Sequence, residues 1–420
     1  MSVLIKSATI YCKGSKFHKK KLNVLVEKGK ISYVGRESPK AKKVLSVKDG
    51  ILSIGWFDMN ALFGDPGLEH KEDLDSGLVA ATAGGFTDVA LLPNTSPVTQ
   101  TKNAISYLRS RNDTNLTQIH PYGAVTIDAK GDDLTEMIDL HEAGVVAFTD
   151  GVEPLWHTDI LLKTLQYLQK FNGLLITQPE DVHISRFGVM NEGPASTLLG
   201  MKGIPNLAED IIVQRDLELL EYAGGRLHFS NISSAKSVEL IKKARKRGLA
   251  VSCGIAAYQT AFEDTDLETF NTNLKVKPPF RNSKDNSALI KGLQEGTIEV
   301  ITSSHQPEDE EGKKLEFDLA EFGITSLQTV AHNLSVLSDK VDWEVLIQAV
   351  TAAPRNLLGL EVPKFEEDVP ANLTLLDPHK EWILNSATNR SKSENSPYWN
   401  TKIKGQVVAT FGNGQHYIAP

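Results

Sequence analysis

Histidine and cysteine side chains are the first candidates for metal or nucleophilic chemistry in this chain. The sequence contains eleven histidines and two cysteines. Neutral imidazole is a common zinc ligand, so the histidines are numerous enough to supply a metal site. Cys12 and Cys253 are too few for a disulfide scaffold, and Cys253 lies in an apolar segment with no histidine motif beside it. We expect Cys253 to pack in the core, and the histidines to matter only if the fold brings them together.

The composition indicates a folded and acidic protein. The chain has 420 residues, 40% of them hydrophobic, and a formal net charge of −8. A negative balance argues against binding to a phosphate backbone. No apolar run reaches the roughly 18–20 residues of a membrane span, and the apolar part of the first residues, Met1–Lys6, is too short for a signal peptide. We expect a cytoplasmic protein that binds neither nucleic acid nor membrane.

An alternation of apolar strands with amphipathic helices fills the middle of the chain. Helices are predicted over Ile160–Lys170, with Thr158 as N-cap, and over Leu207–Tyr222. Eight strand-and-helix units in about 300 residues suit an α/β (β/α)₈ barrel, although a doubly wound sheet has a similar rhythm. The predicted strands are Ile51–Asp58, Phe86–Leu92, Ile119–Thr126, Val145–Phe148, Leu174–Thr177, Arg226–Ser230, Leu249–Ile255 and Ile298–Ser303.

Both ends of the chain have β character. Residues 2–35 alternate in hydrophobicity, and short β segments return at Asn372–Leu376, Trp382–Ile383 and Gln406–Thr410, the last followed by the turn Gly412-Asn413-Gly414. We predict one small composite β domain from residues 1–50 and 363–420, beside a barrel of residues 51–362. Residues 385–400, rich in Ser and Asn, are predicted to form an exposed loop, and Glu308–Glu311 a solvated one.

Several motifs, in order along nearly the whole chain, resemble those of the dihydroorotases of the amidohydrolase superfamily, in the longer bacterial type. The resemblance implies a TIM-like (β/α)₈ barrel with a small composite β-sandwich domain. It also implies the reversible cyclisation of N-carbamoyl-aspartate to dihydroorotate in pyrimidine synthesis, by a zinc-activated hydroxide and a proton-shuttling Asp. The matching motifs are Asp65-Pro66-Gly67, Lys71-Glu72-Asp73, Ala83-Gly84-Gly85-Phe86-Thr87, Pro93-Asn94-Thr95, Asn191-Glu192-Gly193, Gly203-Ile204-Pro205, Lys275-Val276-Lys277-Pro278-Pro279-Phe280-Arg281, Leu376-Asp377-Pro378 and Ser391-Lys392-Ser393-Glu394-Asn395-Ser396-Pro397.

The residues at the family's metal and base positions depart from its pattern. Of six such positions only Asp150 keeps a suitable side chain, because Leu has no lone pair and neutral amides are poor zinc ligands. The residues at these positions are Asn60 and Leu62 for the His-x-His motif, Asp150 on strand four, Gln178 on strand five, Asn231 on strand six and Ser304 in place of the catalytic Asp.

The substrate-contacting positions are altered in part. Gly64 stands where the family has a carboxylate-clamping Arg, and Lys277 where it has an Asn, whereas Asn94 is retained. These residues and Asp150 are the candidates for a remaining substrate pocket, which Leu62 and Phe63 are predicted to plug. Asp150 is interpreted as a vestige or as a hydrogen-bond acceptor for Asn60 or Asn231.

No histidine falls on a family ligand position. His305 adjoins Ser304 and should face the opposite way on a strand, His183 is predicted in a solvated loop, and His228 is predicted to be a neutral structural residue. We therefore expect no bound metal and no other cofactor, with zinc present only if a rearranged site exists.

The sequence favours a catalytically inactive dihydroorotase homologue with a structural or regulatory role, similar to the family's non-catalytic members. Such chains assemble with aspartate carbamoyltransferase, so that enzyme or an active dihydroorotase is the expected partner, and a homodimer is expected. Two alternatives stay open: an active dihydroorotase or related cyclic-amide hydrolase with a rearranged site, and a ligand-binding module that uses Asn94, Asp150 and Lys277.

Overall fold

The computed structural model describes residues 2–420. The strands are β1 Ser2–Tyr11, β2 Lys21–Glu27, β3 Lys30–Gly35, β4 Lys43–Ser46, β5 Ile51–Ile54, β6 Trp56–Ala61, β7 Phe86–Leu91, β8 Gln118–Pro121, β9 Leu175–Thr177, β10 Met190–Asn191, β11 Gly203–Ile204, β12 Leu227–Phe229, β13 Val251–Ala256, β14 Val300–Thr302, β15 Leu373–Ile383, β16 Lys402–Gly412 and β17 Gln415–Ile418. The helices are α1 Leu74–Ala83, α2 Lys102–Arg109, α3 Met137–Glu142, α4 Thr158–Leu168, α5 Pro194–Leu199, α6 Asn206–Ala223, α7 Ala235–Lys246, α8 Ser283–Gln294, α9 Glu310–Lys313, α10 Val330–Leu337, α11 Trp343–Ala349 and α12 Ala352–Leu358.

Parallel strands in the middle of the chain close into a barrel. One sheet contains β6, β7 and β8, and another contains β9, β12, β13 and β14. Phe148 joins the two sheets through parallel bridges to Gly123 and Leu175, and Ala61 of β6 bridges to His305 after β14. The last strand therefore returns to the first, which confirms the (β/α)₈ barrel and excludes the doubly wound sheet. The predicted strand Val145–Phe148 is reduced to the bridge at Phe148.

The two chain ends form one sheet beside the barrel. Its strand order is β17-β16-β15-β5-β1-β2-β3, and β4 also pairs with β1. The antiparallel pairing of β15 with β5 joins the C-terminal segment to the N-terminal one. A separate apolar core, which includes Ile5, Val24, Leu52 and Leu373, lies within this domain. The predicted late β segments are parts of β15 and β16. Hydrophobic alternation located these segments, but it did not show that the first two belong to one strand.

The first predicted barrel strand, Ile51–Asp58, is two strands that belong to different sheets. Gly55 separates them, and its backbone N–H donates to the carbonyl and to the side chain of Asn372. As a result Ile51–Ile54 belongs to the small domain's sheet, and the predicted boundary at residue 50 falls before that strand. Thr158 is the first residue of α4, and His157 occupies the N-cap position without a side-chain cap.

The loop 385–400 is less exposed than predicted because its polar side chains bind the barrel. Its Asn395, which is 4% exposed, accepts a hydrogen bond from the backbone of Glu308 and donates to the carbonyl of Gln306. The backbone N–H of Lys392 donates to the buried Glu72 at 3.0 Å. The solvated-loop prediction is also wrong for Glu308, which is 5% exposed and pairs with Lys71 at 2.7 Å.

A largely buried ion pair holds the amino end of the barrel together. Asp88 on β7 pairs with Arg355 on α12 and contacts Nε2 of His120 on β8 at 2.8 Å. Arg355 also donates to the carbonyl of Gly55 at 2.8 Å. Burial alone raises the pKa of Asp88, but the Arg355 charge and the His120 contact hold that pKa well below its usual range.

Replacing Arg355 by Met should destabilise the fold strongly, because Asp88 would stay buried without its counter-charge. We expect a loss of about 3–5 kcal/mol in the free energy of unfolding, measured by urea titration. Lys102→Met, which breaks an exposed pair with Asp139, serves as the matched control and should change little. A loss for Arg355→Met no larger than that of the control would contradict the stabilising role of the ion pair between Asp88 and Arg355.

Candidate active site

Most of the family's functional positions lie at or just beyond the carboxyl ends of the barrel strands. Asn60 lies near the end of β6, Gln178 follows β9, Asn231 follows β12 and Ser304 follows β14. Each of these four residues is less than 9% exposed. The barrel therefore brings the sequence-predicted positions to its mouth, where the fold normally assembles an active site.

Neutral polar side chains at the mouth bond to one another. Asn231 donates from Nδ2 to Oγ of Ser304 at 2.9 Å and accepts from Oγ1 of Thr302 at 3.3 Å. Asn60 donates from Nδ2 to Oγ of Ser230 at 3.3 Å. Buried amides and hydroxyls need such partners, so these contacts satisfy the groups without an ion. Sequence analysis missed Ser230 and Thr302; their position at strand ends, beside the altered ligands, was the available signal.

The side chains at the ligand positions do not fit zinc. Leu62 offers no donor atom, and the amides of Asn60 and Asn231 are engaged with hydroxyl groups. Among residues 2–420, no group of three or more His, Cys, Asp and Glu side chains is arranged to hold a metal ion. A zinc site requires three or four nitrogen, oxygen or sulfur ligands, of which at most one, Asp150, is of a suitable type.

Asp150 is occupied by backbone groups instead of facing the other ligand positions. Its Oδ1 accepts hydrogen bonds from the backbone of Val125 at 2.8 Å and of Thr126 at 2.9 Å, and Oδ2 accepts from the Thr126 hydroxyl. Burial raises the pKa of Asp150 to about 6 in spite of these donors. The carboxylate accepts no hydrogen bond from Asn60 or Asn231. The predicted acceptor role is therefore wrong about the donors, which are Val125 and Thr126.

Asn94 is likewise used to hold the loops together. Its Nδ2 donates to the carbonyl of Asp150 at 3.0 Å, and its Oδ1 accepts from the backbone of Val152 at 3.1 Å. Both ends of the amide are therefore committed to the neighbouring loop. Asn94 therefore has a structural role here that requires no substrate.

The backbone itself fills the space beside Gly64. A Cβ atom at this position would lie 2.2 Å from the carbonyl oxygen of Leu68, well inside contact distance. The turn from Gly64 to Leu68 is closed by a hydrogen bond of 2.6 Å from the backbone N–H of Leu68 to the Gly64 carbonyl. The family's arginine cannot be accommodated here without movement of this turn.

A second carboxylate, Asp58, connects the first and last barrel strands beneath the mouth. Its Oδ1 accepts from the backbone of Ser303 at 2.8 Å, and Oδ2 accepts from the Ser303 hydroxyl. Burial raises the pKa of Asp58 to about 6, against the lowering effect of these hydrogen bonds. Asp58 therefore has a structural role in closing the barrel.

A cavity of about 610 Å³ remains on one side of the mouth. It is lined in part by Gln178, Lys277 and Lys275. Lys277 pairs with Glu180 at 2.9 Å, so its charge is compensated within the protein. Sequence analysis named Lys277 as a pocket residue but missed Glu180; a lysine in place of a neutral amide was the available signal for a nearby carboxylate. Neither of the two residues predicted to plug the pocket lines this cavity: Phe63 packs beneath α1 against Gly77, and Leu62 packs against an apolar cluster that includes Phe57.

The histidines occupy the structural positions predicted for them. His228 is 1% exposed, its Nδ1 lies 2.8 Å from Oγ of Ser252, and burial lowers its pKa to about 3. The Nδ1 atom of His305 accepts from the backbone of Ser326 at 3.1 Å, and its Nε2 lies 3.5 Å from Oε2 of the buried Glu72. His183 is exposed in a turn. Cys253 is fully buried in the core, as predicted.

The comparisons with known folds define the class of protein. L-hydantoinase (dihydropyrimidinase) from Arthrobacter aurescens matches with a TM-score of 0.84 and 21% identity, covering 99% of this chain and 96% of that one. Dihydropyrimidinase from Brevibacillus agri NCHU1002 matches with a TM-score of 0.81 and 18% identity, covering 100% and 95%. The fold is the amidohydrolase barrel with its accompanying β domain.

Sequence comparison then gives the family. A dihydro-orotase-like family model matches residues 50–237. The dihydroorotase of Geotalea daltonii is 36% identical over 399 residues, which cover 94% of each chain. That of Pelotomaculum thermopropionicum is 36% identical over 422 residues, covering 99% of this chain and 98% of the relative. The chain belongs to the dihydroorotase family. No helix within residues 2–420 is long and apolar enough to cross a membrane.

The buried, neutral His228 should make stability depend on pH in a defined direction. In the unfolded chain a histidine binds a proton near pH 6.5, whereas folded His228 binds one only near pH 3. The free energy of unfolding is therefore highest above about pH 6.5, and it decreases as the pH is lowered from that value. At pH 5 this histidine should lower the free energy of unfolding by about 2 kcal/mol.

Urea titrations between pH 8 and 4 measure the effect. The variant His228→Asn should lose stability less steeply below pH 6.5 than the unmodified chain. His379→Asn, at an exposed histidine, is the matched control and should follow the unmodified chain. Identical pH slopes for His228→Asn and the unmodified chain would show that His228 is not held neutral.

Proposed function

We propose that this protein is a dihydroorotase homologue of pyrimidine biosynthesis that has lost hydrolysis and acts as a structural or regulatory subunit. One observation carries the proposal. The side chain at a ligand position, Asn231, donates to the side chain at the base position, Ser304. Ser304 accepts this hydrogen bond and carries no carboxylate, and the neutral amide of Asn231 is a poor metal ligand, so neither side chain offers the base or the ligand of its position.

The substrate side of the mouth supports the same proposal. The position of the carboxylate-clamping arginine is held by Gly64 and filled by the backbone of Leu68. The retained Asn94 and Asp150 are both hydrogen-bonded within the protein. A substrate carboxylate would therefore find few free donors at the positions that the family uses.

The alternative ligand-binding role of Asn94, Asp150 and Lys277 has little support in these contacts. Asn94 and Asp150 bind protein groups, and Lys277 is paired with Glu180. The alternative of an active cyclic-amide hydrolase requires a base and an activated water from outside the family positions. Zinc content and turnover of dihydroorotate distinguish this alternative from the proposal.

The proposal predicts no turnover of dihydroorotate or N-carbamoyl-aspartate by protein prepared with added zinc. Zinc measured by mass spectrometry should stay well below one ion per chain, because the donor set is absent. Ser304→Asp restores the family's base alone and should remain inactive, since four ligand positions are still altered. Stoichiometric zinc together with chelator-sensitive turnover would establish the rearranged hydrolase instead.

The proposed partner is aspartate carbamoyltransferase, or an active dihydroorotase, of the same organism. The family's non-catalytic members motivate this choice. Co-expression followed by gel filtration at physiological salt should yield a complex of defined stoichiometry, in which the carbamoyltransferase is more active than alone. Separate elution of the two proteins, with unchanged carbamoyltransferase activity, would contradict this partner assignment.

A further inference from the structure

The cavity of about 610 Å³ beside the barrel mouth, which we call the mouth cavity, contains a polar side chain that the fold leaves without a partner. Gln178 lines this cavity and is only 6% exposed, and its carboxamide forms no hydrogen bond within residues 2–420. Buried amides are normally satisfied, as those of Asn60 and Asn231 are in the same mouth. Gln178 therefore has both its donors and its acceptor free for a bound molecule.

An ion pair in the same cavity keeps hydrogen-bonding capacity of both kinds. Lys277 donates to Oε1 of Glu180 at 2.9 Å, and the hydroxyl of Ser185 donates to the same oxygen. The second oxygen of Glu180, Oε2, accepts no hydrogen bond within the described chain, and two of the three N–H groups of Lys277 have no acceptor there. The pair thus offers donors to a carboxylate and an acceptor to an ammonium group.

The other charged residues that line the mouth cavity also have both signs. Lys275 is 2% exposed, donates to the carbonyl of Asp318 at 2.9 Å and forms no ion pair within residues 2–420. Burial lowers the pKa of Lys275 to about 8, so most of this lysine stays charged at neutral pH. One further cation, Arg186, and three carboxylates are exposed and unpaired in the described chain; the carboxylates are Glu153, Asp318 and Glu321. A lining of mixed sign suits a zwitterion better than an anion or a cation.

Two phenylalanines add apolar surface to the mouth cavity. The ring of Phe322 lies beside both lysines, with its centroid 4.8 Å from Nζ of Lys275 and 5.1 Å from Nζ of Lys277. Phe187 is 71% exposed and has a φ of 64°, a backbone conformation that bulky residues rarely adopt. Strain of this kind is concentrated at active sites and ligand clamps. The two rings can contact the hydrocarbon part of a small molecule.

We propose that the mouth cavity binds a free α-amino acid whose side chain ends in a carboxamide, such as glutamine or asparagine. In this complex Lys277 binds the α-carboxylate, Oε2 of Glu180 accepts from the α-ammonium group, and Gln178 pairs with the side-chain amide. Two carboxamides can pair donor to acceptor in both directions, whereas a carboxylate side chain would leave the acceptor oxygen of Gln178 facing an anion. The proposal goes beyond the proposed function and involves no hydrolysis, so that either can fail without the other.

The family's own substrates suit these groups less well. N-carbamoyl-aspartate carries two carboxylates and dihydroorotate carries one, and neither has an ammonium group. Either anion would leave Oε2 of Glu180 without a donor and would meet the unpaired carboxylates of Glu153, Asp318 and Glu321. Like charges brought together at a binding site reduce affinity, so the lining discriminates against both compounds.

Titration of the full chain with free amino acids tests the choice of ligand. Isothermal titration calorimetry near neutral pH should show saturable binding of L-glutamine or L-asparagine, with a Kd of roughly 0.1 mM or tighter. Three analogues of glutamine each lack one matched group and should bind at least ~10-fold more weakly. They are L-glutamate, which lacks the carboxamide, 4-aminobutanamide, which lacks the α-carboxylate, and glutaramic acid, which lacks the ammonium group.

Variants of the cavity test the site itself. Gln178→Leu removes the free carboxamide and should weaken binding of the amino acid at least ~10-fold. Gln178→Glu keeps the size of the side chain but loses its donors, and Glu180→Gln removes the charge opposite the ammonium group; both should weaken binding to a similar extent. Gln214→Leu, at an exposed glutamine of α6, is the matched control and should bind as the unmodified chain does. Thermal midpoints without ligand show whether each variant is folded.

Three results would overturn the proposal. The first is the absence of binding by both L-glutamine and L-asparagine. The second is an affinity of folded Gln178 variants equal to that of the unmodified chain, and the third is tighter binding of dihydroorotate or N-carbamoyl-aspartate than of either amino acid. Turnover of dihydroorotate would contradict the proposed function instead, and it would leave the binding result unaffected.

Discussion

Buried polar groups must find hydrogen-bond partners, and this requirement governs the barrel mouth. In a metal-bearing site an ion would organise the inward-facing side chains from several strands. Here amides and hydroxyls from β6, β12 and β14 or the residues after them satisfy one another, as Asn231 does with Ser304. An unpaired buried amide costs roughly 1–3 kcal/mol, so removing one member of this network should destabilise the fold. The polar side chains of the mouth therefore depend on one another.

The rest of the barrel does not depend on that set. Asp58 with Ser303 joins the first strand to the last, and Asp88 with Arg355 joins the amino end of the barrel to α12. Loop 385–400 is held by Glu72 through backbone and hydroxyl donors. These contacts use side chains other than those at the family's metal and base positions, so they can form whichever residues occupy those positions.

The sequence was sufficient for the barrel and for the family, because strand-and-helix alternation and ordered motifs are properties of the chain itself. It was not sufficient for Ile51–Asp58, where a hydrogen bond from Gly55 to Asn372, more than 300 residues away, divides one apolar run between two sheets. Asp150 shows the same limit at the site. The sequence shows an Asp at the family's position, but the contacts of its carboxylate with Val125 and Thr126 depend on the path of another loop. Contacts between distant segments determine such details, and a local pattern does not contain them.

The turn beside Gly64 has a consequence for any attempt to place an arginine side chain at this position. Because the Leu68 carbonyl occupies the space that a Cβ atom would need, Gly64→Arg alone introduces a steric clash. The turn from Gly64 to Leu68 must open at the same time, and the hydrogen bond that closes it must break. At this point of the barrel mouth the backbone conformation, as much as the residue type, determines which side chains the site can carry.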